Sequence, residues 1–334
     1  MYEQNFHNED ISSKSFLVTG GAGFIGSNIV EYLLKYSAGK VRVLDNLSEG
    51  LRENVDMFLN HPNYEFVEGS ITDYATCLKN CEGIDYVLHQ AALGSVPRSI
   101  KNPVATNEAN VTGFLNMLTA AKDSGVKRFV YASSSSVYGD SPDLPKREEK
   151  IGKPLSPYAV SKLVDEFYAD VFARTYNMQV IGLRYFNIFG TRQKPDGPYA
   201  AAIPLFMDAL LNNKSPFING DGEQTRDFTF VENAVQANIR ALFTNVEGAT
   251  GQVYNVAVAE RISINLLFNT LKNLTASEIL PTYREEREGD IRNSLADISK
   301  AQKYLEYKPT TKVEKGLEIT LNWFKTRKPV SPRA

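Results

Sequence analysis

Tyr158 and Lys162 lie four residues apart in a segment that opens with Ser156-Pro157. Proline suits the first turn of a helix, so the sequence predicts a helix over 157–176 with both side chains on one face. A free phenol has a pKa near 10, so a tyrosine base working near neutrality needs about 4 kcal/mol of preferential stabilisation of its phenolate. A lysine ammonium on the same face supplies part of this, and an oxidised nicotinamide ring can add more. Taken alone, the pair is better explained by an amphipathic helix whose lysine reaches solvent.

Four consecutive serines, 133–136, stand upstream of this pair and follow the apolar run Phe129-Val130-Tyr131. They would lie at the carboxyl end of a strand, which is where ligands bind in parallel sheets. Their hydroxyl groups could hold a substrate alcohol beside Tyr158. The alternative is the polar start of a loop, although turn chemistry poorly explains four serines in a row.

A glycine-rich turn follows the first apolar run, Phe16-Leu17-Val18, with glycines at positions 20, 23 and 26. Such a turn lets a pyrophosphate approach the backbone at the start of a helix, whose free N–H groups favour an anion. Asp45 ends the next predicted strand, where a carboxylate accepts hydrogen bonds from a ribose diol and repels a 2′-phosphate. The pattern therefore favours NAD over NADP. A purely structural turn, with Asp45 as a cap, is the alternative.

Short β-rich runs alternate with longer helical segments as far as Tyr185. This order predicts right-handed βαβ units and an α/β fold with a Rossmann-type, doubly wound parallel sheet. We expect an NAD-binding domain over 1–185, preceded by a polar leader over 1–14. The remainder, 186–334, is predicted to be a smaller C-terminal α/β region that mainly binds substrate, with segments such as 228–258 packing back on the first domain. The long predicted helices are 107–124 and 157–176, and shorter ones follow at about 201–211, 232–243, 265–274 and 313–324.

The composition excludes several classes of protein. The chain has 334 residues, of which 43% are hydrophobic and 23% charged, and its formal net charge is −2. Nucleic-acid and membrane-surface proteins usually carry a basic excess, so neither partner is expected. Cys77 and Cys81 are too few for a disulfide framework, and three histidines offer few metal ligands, so no metal site is predicted. Without an apolar run of membrane-spanning length or a signal peptide, we expect a soluble, cytoplasmic protein.

From about Ser15 to Phe324 the chain resembles the extended short-chain dehydrogenases/reductases, and specifically the UDP-sugar 4-epimerases. The resemblance implies that Ser134, Tyr158 and Lys162 are the catalytic residues and that NAD is tightly bound. Ser70 stands where the family usually has an aspartate that holds the adenine amino group; a serine can still accept a hydrogen bond. The positions that match the family's cofactor contacts are Gly20, Gly23, Phe24, Ile25, Gly26, Asp45, Asn46, Ser70, Ile71, Gln90, Ala91, Ala92, Asn110, Tyr158, Lys162 and Tyr185.

Related enzymes that dehydrate or decarboxylate nucleotide sugars carry an acidic residue directly after the catalytic hydroxyl. Here Ser135 and Ser136 occupy that stretch, which favours epimerisation through a transient 4-keto sugar. A lyase remains the nearest alternative, and a non-catalytic NAD-sensing protein is a third. Such sensors typically lose the Tyr/Lys pair, which this chain keeps.

The resemblance also implies a UDP-sugar substrate, gripped by its diphosphate. Segments 93–99 and 289–297 are similar to the bacterial subgroup acting on UDP-N-acetylglucosamine and UDP-N-acetylgalactosamine. Ser294 stands where enzymes restricted to glucose and galactose have a bulky tyrosine, so we expect turnover of both acetylated and plain sugars. UDP-hexuronic acids remain an alternative substrate. The positions expected to contact substrate are Gly94, Ser95, Ser134, Ser135, Asn187, Phe217, Asn219, Arg226, Arg287, Asp290 and Ser294. The family tends to form homodimers through a four-helix bundle built from helices near 107–124 and 157–176.

Overall fold

The fold is described from a computed structural model, which covers residues 1–195, 201–286 and 292–326. Its strands are β1 Ser15–Thr19, β2 Lys40–Asp45, β3 Tyr64–Glu68, β4 Tyr86–His89, β5 Arg128–Ser134, β6 Val180–Tyr185, β7 Ile188–Phe189, β8 Phe217–Asn219, β9 Thr225–Arg226, β10 Thr229–Phe230, β11 Gln252–Val256, β12 Ile262–Ser263 and β13 Thr282–Arg284.

Among the described residues, the longest helix has 20 residues and the others are shorter. In chain order they are α1 Phe24–Lys35, α2 Arg52–Asp56, α3 Tyr74–Cys81, α4 Val96–Lys101, α5 Pro103–Asn107, α6 Gly113–Asp123, α7 Pro157–Tyr176, α8 Ala202–Leu211, α9 Val231–Phe243, α10 Ile264–Thr275, α11 Ser299–Leu305 and α12 Val313–Thr326. A π-helical turn, Glu108–Thr112, joins α5 to α6, and a short 3₁₀ turn, Ser135–Tyr138, follows β5.

A seven-stranded sheet lies at the centre of the described residues, with the order β11-β6-β5-β4-β1-β2-β3. Every neighbouring pair in it is parallel. The chain winds outward from β1 in both directions, so the strand order reverses between β1 and β4. A crevice forms at such a point beyond the carboxyl ends of the strands. The predicted Rossmann-type sheet is thereby confirmed.

Both faces of the sheet are covered, which explains why its inner strands β1, β4 and β6 are mainly apolar. On one face Ile29 and Tyr32 of α1 pack with Val235 of α9. On the other face Phe114 of α6 and Phe172 of α7 pack over Leu17 and Phe129, together with the free cysteines of α3. A third apolar cluster joins α8, α10 and α12 in the second half of the chain.

The two long predicted helices differ in how closely they match the structure. α7 spans Pro157–Tyr176, as expected, and the Ser156 side chain caps it by accepting a hydrogen bond from the backbone N–H of Ala159 at 3.1 Å. The helix expected over 107–124 begins earlier, because Asn102 caps a first turn at Pro103. The π-helical turn then interrupts it before α6.

Residues beyond Tyr185 contribute to the central sheet. β11 pairs with β6, and the neighbouring α9 packs on the face that also carries α1. Both elements belong to the segment 228–258, which the sequence predicts to pack back on the NAD domain. The boundary between the NAD-binding domain and the substrate-binding region, placed at residue 185 by the sequence, stays a prediction.

The segment expected to be a polar leader packs closely on α1. Tyr2, Phe6 and Ile11 are buried, and the Tyr2 hydroxyl donates a hydrogen bond to Asn28 Oδ1 at 2.9 Å. The Tyr32 hydroxyl accepts from the backbone N–H of Phe6 at 2.7 Å. These apolar side chains are spaced among polar ones, so the mean polarity of the segment conceals them. In the described part of the chain, no helix has the length and apolar character needed to cross a bilayer.

Candidate active site

The glycine-rich turn brings backbone segments closer together than side chains would allow. Gly20 has a φ of +70°, and a Cβ atom there would lie 2.7 Å from the backbone nitrogen of Ala91. A Cβ on Gly26 would lie 2.2 Å from the carbonyl oxygen of Gly20, while the Gly23 N–H donates to that same oxygen at 3.0 Å. A larger residue at position 20 would therefore push the turn away from the segment after β4, and one at position 26 would push it away from α1. The three glycines form the open cradle that a pyrophosphate requires.

Asp45 lies beside this cradle at the end of β2. Its carboxylate accepts hydrogen bonds from the backbone N–H groups of Ala22 at 3.0 Å and Leu47 at 2.8 Å. Burial raises the pKa of Asp45, and these backbone donors oppose the effect. The bonds also fix the orientation of the carboxylate. A fixed carboxylate at this place suits the diol of an adenosine ribose.

A cavity of about 340 Å³ opens next to the cradle and to Asp45. Ser70 contributes to its wall, where its hydroxyl pairs with Thr72 Oγ1 at 2.8 Å and accepts from the Thr72 backbone N–H at 3.2 Å. The predicted cofactor positions that line this cavity are Gly20, Gly23, Asp45, Asn46, Ser70, Ile71, Gln90, Ala91 and Ala92.

A larger cavity of about 520 Å³ contains both Tyr158 and Lys162. It shares wall residues with the first cavity, including Gly20, Gly23 and Gln90, so the two form one continuous groove. The cradle, the fixed carboxylate and this continuity fit a dinucleotide such as NAD with its nicotinamide end towards Tyr158. Further predicted positions in the wall of the larger cavity are Phe24, Ile25, Gly26, Gly94, Ser95, Ser134, Tyr185 and Asn187.

Ser133 and Ser134, two members of the serine run, direct their side chains towards different neighbours. Ser134 faces the larger cavity, and its Oγ accepts from the backbone N–H of Ser136 at 3.1 Å. Ser133 is turned towards α7, where its hydroxyl donates to Glu166 Oε1 at 2.5 Å. Among the described residues, the wall of that cavity includes Ser133 and Ser134 but not Ser135. Ser134 is therefore the serine best placed to meet a ligand beside Tyr158.

Buried side-chain amides hold both Tyr185 and the loop after β4. The Tyr185 hydroxyl donates to Gln90 Oε1 at 3.1 Å and accepts from Asn238 Nδ2 at 2.7 Å. Asn110, on the π-helical turn, donates to the Leu93 carbonyl oxygen at 3.2 Å and accepts from the Leu93 N–H at 2.7 Å. Asn110 thereby fixes the loop after β4, which leads to Gly94 and Ser95.

Asn187, Arg226 and Ser294 are gathered around the strand β9 and the chain that follows it. Asn187 has a φ of +39°, and its side-chain amide donates to the carbonyl oxygen of Asp227 at 3.1 Å. The backbone N–H of Ser294 donates to the carbonyl oxygen of Thr225 at 3.1 Å. Arg226 Nη1 donates to that same carbonyl oxygen at 2.9 Å. Ser294 and Arg226 are therefore held close together.

Phe217 and Asn219 lie on β8, farther from the cavity. The guanidinium of Arg284 lies over the ring of Phe217 at 5.0 Å, and its Nε donates to Asn219 Oδ1 at 2.6 Å. Phe217 remains 57% exposed, which leaves an aromatic face accessible to a planar base. Arg287 and Asp290, also predicted to contact substrate, lie outside the described residues.

Sequence reasoning missed several residues of this site. Asn238 supports Tyr185 from a helix that is remote in sequence, and no local motif marks it. Arg192 and Lys194 line the larger cavity, together with Arg98 of α4. The sequence signal that was available for these residues was their position next to a stretch after β7 that is rich in proline and glycine. Asp165 could have been found from its spacing, because it continues the face that carries Tyr158 and Lys162.

Known proteins resemble the chain over nearly its whole length. A putative UDP-glucose 4-epimerase of Methanocaldococcus jannaschii is 38% identical over 311 residues, which are 92% of this chain and 98% of the relative. A structure of a UDP-N-acetylglucosamine 4-epimerase from Methanobrevibacter ruminantium M1, in complex with UDP-N-acetylmuramic acid, is 41% identical. Its TM-score is 0.89, and the alignment covers 94% of this chain and 98% of that one.

A third similar protein is a mutant of the UDP-glucuronic acid 4-epimerase from Bacillus cereus, solved with UDP-4-deoxy-4-fluoro-glucuronic acid and NAD. It is 31% identical with a TM-score of 0.86, over 93% of this chain and 99% of that one. The sequence also matches the NAD dependent epimerase/dehydratase family over residues 16–257. The resemblance to UDP-sugar 4-epimerases drawn from the sequence is confirmed, as is NAD as the cofactor. The chain belongs to the NAD-dependent epimerase/dehydratase family.

Proposed function

We propose that the protein interconverts UDP-N-acetylglucosamine and UDP-N-acetylgalactosamine, and also UDP-glucose and UDP-galactose, by inverting the sugar at C4. One observation carries this proposal: Ser134, Tyr158 and Lys162 line the same cavity, and that cavity continues into the glycine cradle beside Asp45. A phenol, an ammonium and a hydroxyl at the nicotinamide end of a dinucleotide groove suit the oxidation and reduction of an alcohol.

A bound NAD would supply the acceptor, and later the donor, for the hydride at C4 of the sugar. The cradle formed by Gly20, Gly23 and Gly26 would hold the pyrophosphate, and Asp45 would hold the adenosine ribose. Tyr158 takes the proton from the 4-hydroxyl group and later returns it. Ser134 holds the same oxygen by a hydrogen bond, and the Lys162 ammonium stabilises the phenolate form of Tyr158. The sugar turns over about its phosphate link between the two halves of the reaction.

Epimerisation is favoured over elimination by the side chains next to Ser134. A lyase of this family would need a carboxylic acid beside the catalytic hydroxyl, and Ser135 and Ser136 cannot serve as one. Their hydroxyl groups are too weakly acidic to protonate a leaving group at neutral pH. We therefore expect the product to keep the composition of the substrate.

Ser294 supports the proposal that acetylated sugars are substrates. Its side chain is small, and it lies next to Arg226, which we propose binds the diphosphate of the UDP-sugar. A serine leaves room for an N-acetyl group at C2 that a tyrosine would fill. The family relationship to the enzyme of Methanobrevibacter ruminantium agrees with this substrate class.

UDP-hexuronic acids are a second candidate, which one feature of the cavity favours. Arg192 and Lys194 both line its wall, and cationic side chains can accept a carboxylate at C6. The relative from Bacillus cereus acts on such a sugar. The reaction would use the same residues of this chain.

The test is direct assay of the purified protein with no NAD added. UDP-N-acetylglucosamine, UDP-glucose and UDP-glucuronic acid are incubated separately, and the products are followed by NMR. We expect the galacto isomer from the first two sugars. Isomerisation of UDP-glucuronic acid alone would replace the proposed substrate by the second candidate. Loss of water or carbon dioxide would identify a lyase, and three unchanged sugars in the presence of added NAD would refute the proposal.

We further propose that two copies of the chain associate through α7 and the α5–α6 segment. The exposed apolar side chains there include Phe167 and Val171 on α7 and Val104 on α5, and Ile100 is exposed on the adjacent α4. Val104 is 76% exposed and Phe167 59% exposed, which is costly for large apolar groups in water. Two helical segments from each copy would form a four-helix bundle that buries these side chains.

A further inference from the structure

One face of α7 carries a third polar side chain beyond the proposed catalytic pair. Tyr158, Lys162 and Asp165 succeed one another at intervals of four and three residues. Residues at these intervals lie one above the other on a helix. Lys162 Nζ is 3.2 Å from Asp165 Oδ2, and the two side chains are 3% and 0% exposed. The pair is therefore almost completely shielded from water.

Asp165 has few other partners among the described residues. Its second oxygen, Oδ1, is buried and has no hydrogen-bond partner in the described part of the chain. Glu166, the next residue along, is bonded at 2.8 Å and 2.7 Å to Arg184 of β6. That arginine is consequently committed to Glu166, and Lys162 is the cation that bonds to Asp165.

The groups facing the pair from the sheet and from the neighbouring helix do not compensate its charges. Tyr131 of β5 is buried near Asp165, and burial holds its pKa well above the ordinary value. His89 of β4 faces Lys162; burial, and then the lysine charge, lower its pKa to about 3, so it stays neutral. From the segment before α6, the Asn110 side chain donates to Ser161 Oγ at 3.0 Å and brings no charge.

We propose that Asp165 is a positioning residue for the reaction: it holds the Lys162 ammonium and, through that charge, sets the pH range in which Tyr158 acts as a base. The proposal rests on the proposed function for the role of Tyr158. An ammonium has three donors, so Lys162 can bond to Asp165 while it faces the cavity that Tyr158 also lines. The hydrogen bond to Asp165 restricts the positions that the Lys162 ammonium group can adopt.

The charge on Asp165 changes within the working range of an enzyme. Burial raises the pKa of Asp165 to about 7, against the lowering effect of Lys162 and its hydrogen bond. Below that pH the carboxyl group is neutral, and the full Lys162 charge acts on Tyr158. Above it the carboxylate offsets part of that charge, which disfavours a second anion on Tyr158. The proton on Asp165 is thereby expected to be coupled to the proton that Tyr158 exchanges with substrate.

The test compares the wild-type holoenzyme with Asp165→Asn. The asparagine has nearly the same shape and can accept a hydrogen bond from Lys162, but it carries no charge. Where the acid limb of the kcat/KM profile lies above about pH 7, we expect it to move to lower pH by about half a pH unit or more, since the wild-type carboxylate is charged there and Asp165→Asn removes that charge. We also expect the limb to become steeper, because a single group then titrates.

A second measurement does not depend on turnover. The ultraviolet phenolate absorbance of Tyr158 is obtained against pH as the difference between each protein and its matching Tyr158→Phe variant. Its midpoint should move in the same direction in Asp165→Asn. Asp165→Ala, which also removes the charge, should reproduce the movement if the asparagine variant folds poorly. Asp170→Asn is the matched control, because Asp170 is exposed on the same helix and pairs with Arg174.

Two results would overturn the proposal. Either the absorbance midpoint is unchanged within error in both folded Asp165 variants, or it moves equally in Asp170→Asn. Failure of the proposed function gives a different result: the wild type then leaves the UDP-sugars unchanged, or Tyr158→Phe isomerises them as fast as the wild type, whatever happens at Asp165. The absorbance titration therefore separates the two failures.

Discussion

Gln90 and Asn238 are separated by 148 positions in the chain, yet Gln90 Nε2 donates a hydrogen bond to Asn238 Oδ1 at 3.1 Å. The Tyr185 hydroxyl closes the ring by donating to Gln90 and accepting from Asn238. Burial raises the pKa of Tyr185, so the phenol stays protonated and keeps its donor role. The ring links β4, β6 and α9. A helix from beyond Tyr185 thus supports two side chains of the proposed cofactor groove.

Replacing Asn238 by alanine should weaken NAD binding. Gln90 and Tyr185 would each lose a buried partner, which costs about 1–3 kcal/mol of folding stability. With both side chains released, we expect the dissociation constant for NAD to rise about three- to tenfold, the equivalent of one lost hydrogen bond. Calorimetry on NAD-depleted protein measures the constant.

Gln236→Ala is the matched control for this experiment. Gln236 is buried on the same helix, but its side chain accepts from the backbone N–H of Lys308 at 2.8 Å, away from the ring. This variant should lose stability without a change in NAD affinity. Equal affinities in the Asn238 and Gln236 variants would show that the ring serves folding alone.

Replacing Tyr158 by phenylalanine should nearly abolish isomerisation. The variant keeps the ring and its packing but loses the group proposed to move the proton, and general acid–base catalysis is worth about 10²–10⁴-fold. We expect kcat to fall by about that factor while NAD remains bound, as measured by NMR assay and by the absorbance of cofactor released on denaturation. Tyr168→Phe on the same helix should keep wild-type activity. An active Tyr158→Phe variant would remove the phenol from the mechanism.

Local patterns predicted the parts of the fold and site that depend on neighbouring residues. The mainly apolar runs of β1, β4 and β6 are buried on both faces, so their composition alone marked them as strands. Tyr158 and Lys162 share one helix, and the glycine turn is a contiguous motif. Each of these features is complete within about 20 residues, which is why it could be recognised.

Features built from remote segments could not be predicted in the same way. The strand β11, Gln252–Val256, mixes polar and apolar residues, and only its pairing with β6 explains it. Asn238 looks like any polar residue of an amphipathic helix until that helix is packed on the sheet. Tyr2 and Phe6 were concealed by the polar residues around them. In each case tertiary packing decides where the residue lies, and such packing leaves no signal in the local sequence.

Arg226→Ala should raise KM for the UDP-sugar and leave kcat nearly unchanged. A guanidinium that binds diphosphate oxygens contributes equally to the ground state and the transition state, and a charge-assisted hydrogen bond is worth about 1.5–3 kcal/mol. We expect an increase in KM of about tenfold or more in steady-state assays. Arg174→Ala, on an exposed part of α7, is the control and should leave KM unchanged. A rise of less than about threefold would argue against diphosphate binding by Arg226.

Ser294→Tyr should separate the two sugar classes. The phenol ring would fill the volume proposed for the N-acetyl group, so turnover of UDP-N-acetylglucosamine should be lost while UDP-glucose is spared. Parallel assays of both substrates on one protein preparation measure the ratio of kcat/KM values. Ser294→Ala removes the hydroxyl without adding volume and should keep both activities. If the tyrosine variant loses both activities together, Ser294 does not discriminate between these sugars.

Phe167→Glu should convert the proposed dimer into monomers. Phe167 is exposed near the middle of α7, and a buried glutamate at each copy's contact would lack a partner and carry like charge. Light scattering after size-exclusion chromatography should give a dimer mass for the wild type and a monomer mass for the variant. Leu266→Glu is the control, because Leu266 is similarly exposed but lies on α10, away from the contact. If the wild type is a monomer, or if Phe167→Glu remains a dimer as Leu266→Glu does, the apolar surface of α7 has another role.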